Sequence, residues 1–223
     1  MIKCIIYLLA ALLLAGWVGA EREAPARVFN TQEFVGLVST EVGSYEDAVL
    51  DYELDASKDG VLHFTRCTQV EAVDAGDIEA SQYPLFKLLS VNCLALKRYV
   101  ESVPAQRSYF PEKLTKELVA AFPATAVPRI SDEEMTRRQG KNLTAYEAKI
   151  KISLAADGSV QVMTATDEMT YYIMARADFD GDGAEDLLVR VDWHARNAFG
   201  RGTDLFFLAK TSDSGPVTVS WRF

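Results

Sequence analysis

The rhythm of apolar and polar positions changes near Gly140. Before it, apolar residues recur mainly at intervals of three and four. In "YPLFKLLSVNCLALKRYV", Leu85, Leu88, Leu89, Cys93, Leu96 and Val100 share one side of a helix. This predicts a helix over 83–101, closed off before Pro104. The same reading predicts a short helix in "TQEFVGLVSTEV", opening at Thr31, and another in "FPEKLTKELVAAF", with Pro111 at its start and Pro123 at its end. In "SDEEMTRR", Ser131 followed by Glu134 is a capping-box pattern for a further short helix. The exception is "AVLDYELDASKDGVLHFTRC", two extended runs around "SKDG", where Gly60 can supply a positive φ.

After Gly140 the period is two. "TAYEAKIKISLAADGSVQVMTAT" alternates around Asp157-Gly158, a hairpin signal, and strands follow at "TYYIMARA", "DLLVRVDW", "TDLFFLAKT" and "PVTVSWRF". Helices followed by strands predict an α+β fold: a helix-rich half, 31–138, packed on an antiparallel sheet of four or five strands, 141–223. A single domain over 21–223 is simpler than a boundary near 129–141. No internal repeat is visible, which argues against a solenoid or propeller.

The first twenty residues stand apart. "MIKCIIYLLAALLLAGWVGA" has one cation, Lys3, an apolar stretch and a small-residue end, the layout of a secretory signal peptide cleaved after Ala20. The stretch is short for a membrane anchor, which needs roughly 18–20 apolar residues. Trp17 stands where a lipoprotein would carry cysteine. A periplasmic or secreted protein is expected. Cleavage at that point removes Lys3 and takes the net charge from −9 to −10. Such a surface repels phosphate, so nucleic acid and anionic membrane are not expected partners, whereas a cation or a basic protein patch is. Two cysteines remain, Cys67 and Cys93, and an oxidising compartment predicts a disulfide between them.

The densest chemistry is in "ARADFDGDGAEDLLVRV". Asp178, Asp180, Asp182 and Asp186 stand at positions one, three, five and nine of a turn, with Gly183 at six. A chain wrapping a cation turns alternate side chains inward, and the glycine permits the sharp bend. Ala184, at seven, is placed to offer its backbone carbonyl, while Glu185 is expected to face solvent. Asp and Gly favour turns without any ion; these offsets together are what point to a metal. An all-oxygen donor set suits Ca²⁺ first and Mg²⁺ second.

The segment resembles the D-x-D-x-D-G-x-x-D calcium loops of FG-GAP and related repeat families, and is similar to the first part of dockerin and EF-hand loops. The resemblance implies calcium, with Asp178, Asp180, Asp182 and Asp186 in the ligand positions and the Ala184 carbonyl beside them. It covers about nine residues in one copy, so it implies no propeller. The twelfth position is Val189 in place of a bidentate glutamate, and the flanks read as strands, unlike an EF-hand.

No nucleophile elbow, phosphate-binding glycine loop, zinc spacing or C-x-x-C appears. His63 reads as a hydrogen-bonded sheet residue. Asp192 and His194 share one strand face near the acidic turn. The function expected is therefore an exported, non-enzymatic calcium-binding protein with one structural site, engaging another protein or an envelope component. A calcium-dependent envelope hydrolase and a periplasmic immunity protein against a secreted toxin are the alternatives.

Overall fold

The computed structural model describes residues 26–39, 41–128 and 131–223; the expected signal peptide, 1–20, lies outside the described residues. In chain order the elements are β1 (Val28–Phe29), β2 (Tyr52–Asp55), β3 (Val61–Phe64), α1 (Cys67–Ala72), α2 (Tyr83–Glu101), α3 (Lys116–Ala120), α4 (Asp132–Arg138) and α5 (Leu143–Tyr146). Then come β4 (Lys151–Leu154), β5 (Val160–Met163), β6 (Asp167–Ala177), β7 (Asp186–Ala195), β8 (Arg201–Ala209) and β9 (Thr218–Arg222).

One antiparallel sheet of seven strands dominates. Strands β4 to β9 lie in sequence order, each paired with the next. Because β7 pairs along the length of β6, β5 and β1 share the other edge of β6, at Glu168–Tyr171 and at Ala175–Arg176. Asn30 extends the β1 contact, its N–H donating to the Met174 carbonyl at 2.8 Å. β2 and β3 form a separate hairpin.

This corrects the expected α+β division. No helical half occupies 31–138. Among the described residues the stretch contains one long helix, α2, together with short helices, single turns and a hairpin, and the residues just before it supply a strand to the large sheet. That sheet has seven strands where four or five were expected. The reason is local. Among the described residues of "TQEFVGLVSTEV" only a single turn, Thr31–Glu33, is helical, because Gly36 reverses the chain at φ 87° and Leu37 bridges to Leu50. Gly36 lies so close to Tyr52 that a Cβ there would stand 2.6 Å from the ring. α3 begins after Thr115, whose hydroxyl accepts from the Leu118 N–H, well past Pro111. The long helix over 83–101, the Ser131 cap of α4 and both hairpin turns, with Gly60 at φ 124° and Gly158 at φ 88°, are as expected.

The sheet is buried on both faces, so β7 reads as a continuous apolar run instead of alternating. Leu188 and Leu205 pack with α2 and the β2–β3 hairpin; Leu187, Val189 and Val191 pack on the opposite face against Phe122, Val119 and Leu143. The one charge in the run, Arg190, is 3% exposed. It is held by the Asn92 side chain at 2.8 Å, the Glu33 carbonyl at 2.6 Å and Asp192 at 3.0 Å. Cys67 and Cys93 are joined, tying the start of α1 to α2. Closing a loop of 26 residues contributes about 3–4 kcal/mol in the chain-entropy model.

Candidate metal centre

The acidic residues occupy the connection between β6 and β7, the two most extensively paired strands. The turn is built from its own carboxylates. Asp178 accepts from the Gly181 and Gly183 N–H groups at 2.6 and 2.9 Å, Asp180 from Asp182 at 3.1 Å, Asp182 from Ala184 at 2.6 Å, and Asp186 from Phe179 at 3.0 Å. Gly181 and Gly183 take φ of 83° and 81°, a region costly for any side chain.

The turn is also docked from outside, on a segment with no motif of its own. Asp178 and Val103 exchange backbone hydrogen bonds of 3.0 and 3.2 Å. Gln106 N–H donates to the Gly183 carbonyl at 2.9 Å, and Glu185 N–H to the Arg107 carbonyl at 2.8 Å. Phe179 stacks on Phe207 with centroids 4.5 Å apart, which ties the turn to the core beneath α2.

Among the described residues, Asp178, Asp180 and Asp186 offer one oxygen each within 4.8 Å of one another, a group that can hold a metal ion. Asp182 is exposed and is not in that group. Ala184 is buried between Gly183 and Glu185, whose backbones are tied to the 106–107 segment. Asp178 and Asp186 are buried and Asp180 is exposed, so the group opens to solvent on one side. Burial, and secondarily the charges of Asp180, Asp182 and Asp178, pushes the Asp186 carboxyl up to about 7, against the opposing effect of the Phe179 N–H. Clustered anions that repel in this way gain from a cation placed among them.

Two expectations fail here. Glu185 does not face solvent: it is 1% exposed, paired with Arg176 at 2.6 Å and accepting from the Ser108 hydroxyl at 3.0 Å. Arg176, half-buried, also donates to the Pro111 and Glu112 carbonyls, so the ion pair ties the 108–112 segment to the turn. A glutamate just ahead of the buried run "DLLVRV" was the only sign of this in the chain. Asp192 and His194, in turn, are not near the loop. They lie six and eight residues along β7 from Asp186, roughly 20–27 Å at strand rise. Nor do they pair: Asp192 binds Arg190 and Thr203, and His194 stands 3.5 Å from Glu168. His63 behaves as expected, beside Asp51 at 3.3 Å on the exposed face of β3.

Comparison with protein-family models, with curated proteins and with solved structures gave no match.

Proposed function

We propose that this is an exported, calcium-stabilised binding protein, whose 178–186 turn holds one structural Ca²⁺ and whose surface engages another protein or an envelope component. The observation that carries the metal reading is the convergence of Asp178, Asp180 and the buried Asp186 on one point. Oxygens 2.3–2.6 Å from a calcium ion stand at most about 4.6–5.2 Å apart, so a group within 4.8 Å can share one ion. The donors are all hard oxygens, and the Ala184 carbonyl and water would complete a coordination of six to eight. Magnesium demands a stricter octahedron and is the weaker fit. Resemblance to D-x-D-x-D-G-x-x-D loops supports Asp178, Asp180 and Asp186 as ligands and would add Asp182 to them.

The ion's role follows from magnitude. Extracellular modules bind calcium at about 10⁻⁴–10⁻³ M, and tenfold saturation adds roughly 1.4 kcal/mol. That suits an ion that locks a turn better than one that signals. The disulfide and the pattern of residues 1–20 support export. Isothermal titration of the protein from Glu21 onward with Ca²⁺ and with Mg²⁺, repeated on Asp180→Ala, tests the reading. A calcium heat lost in the variant supports it; equal heats in both proteins, or none, refute it.

A further inference from the structure

The two outer strands of the large sheet are treated differently. β4 is packed by α3, whereas β9 lines a groove of about 1020 Å³ together with Leu118 of α3 and Met135 of α4. α3 thus lies against one edge strand and shares a groove with the other. A strand edge presents a row of backbone N–H and C=O groups that another extended chain can join. Val219 of β9, Leu118 and Met135 are, with Trp221, among the groove's larger apolar side chains.

Charge decides the occupant. The chain carries 32 acids against 23 cations, yet among the described residues no Asp or Glu lines this groove, while Lys141, Lys210 and Arg222 do. Arg222 reaches across to the Thr125 carbonyl at 2.5 Å and is compensated by Asp204 at 2.8 Å. The positive field therefore rests on Lys141, whose ammonium lies over the Tyr146 ring, and Lys210, which donates to the Tyr109 carbonyl. A second copy of β9 paired edge to edge would bring like cations together.

We propose that this groove binds an extended acidic segment of another polypeptide, added as a strand along the outer edge of β9. This names a partner class for the binding role proposed above and does not use the metal turn. Acidic side chains of the added strand would meet Lys141 and Lys210, and apolar ones would pack on Val219, Leu118 and Met135.

The probe is a synthetic peptide of about ten residues alternating glutamate and valine, long enough to add one strand. Its lysine–valine counterpart is the control. Binding is followed by fluorescence anisotropy, with calcium and with chelator, and by amide hydrogen exchange of Thr218–Arg222. The glutamate peptide is expected to bind and to slow exchange along β9. Weakening should be about tenfold in Lys141→Glu/Lys210→Glu and about threefold in Lys141→Glu alone, an exposed position chosen to spare the fold. Equal binding of the lysine peptide, unchanged affinity in Lys141→Glu, no binding, unchanged β9 exchange, or self-association of the protein abolished by the same variants would each overturn the proposal. Binding that persists in chelator separates it from the metal reading.

Discussion

Replacing Asp186 with asparagine should stabilise the metal-free protein and at the same time abolish its stabilisation by calcium. Burial and three neighbouring carboxylates raise this group from 3.8 to about 7 in the folded chain. The folded state therefore holds a proton that the unfolded state has released between about pH 4 and 7, and stability falls as pH rises through that window. Three pH units at 1.36 kcal/mol each set a ceiling of about 4 kcal/mol. Asp180 and Asp182 are exposed and can turn outward, so about 2 kcal/mol is the working figure. In chelator at pH 8, Asp186→Asn should melt about 4–8 °C above the wild type, converging with it near pH 4. Asparagine keeps an oxygen for the Phe179 N–H but removes the charge that would hold the proposed ion. In calcium the order should shrink or invert, because the proposed ion would favour only the wild type. Thermal unfolding over pH 4–8, with calcium and with chelator, measures all of this. A flat wild-type profile in chelator, or a variant less stable than wild type at pH 8, would refute the electrostatic reasoning.

Other substitutions probe the scaffold around the turn. Gly183→Ala forces a side chain to φ 81° and should cost about 1–2 kcal/mol by denaturant unfolding, with weaker calcium binding by titration. Glu185→Ala leaves the half-buried Arg176 without its carboxylate and should cost about 2–3 kcal/mol, read by the same unfolding experiment. Cys93→Ala opens the 26-residue loop and should cost about 3–4 kcal/mol, matched by reduction of the wild type.

What the chain disclosed beforehand depended on how local its causes are. Helix α2 was legible because nineteen residues carry one periodic stripe. The two hairpins were legible because Gly60 and Gly158 supply the positive φ their turns require. The acidic turn was legible because its spacing is set within nine residues, and three of its acids do converge. The helical half was misread because the short windows at 31–42 and 110–122 have helical spacing too brief to outlast Gly36 and Thr115. Contacts from far along the chain left no mark. The pairing of Val28 with Arg176, the docking of Val103 on Asp178 and the burial of Glu185 beneath Ser108 arise only when distant segments meet.

The order of the strands also sets an order of assembly. From β4 onward each strand pairs with its successor, so the C-terminal six can zip up as a chain of local hairpins. β1 cannot join them early. Val28 waits for Arg176, roughly 150 residues further on, and a chain emerging N-terminus first offers β1 long before β6 exists. Until it docks, the edge of β6 beyond Tyr171 stays open to any other strand. Attachment of this two-residue piece is thus the step that covers this edge of β6, and its loss should appear as aggregation during refolding before it appears as a lower melting temperature.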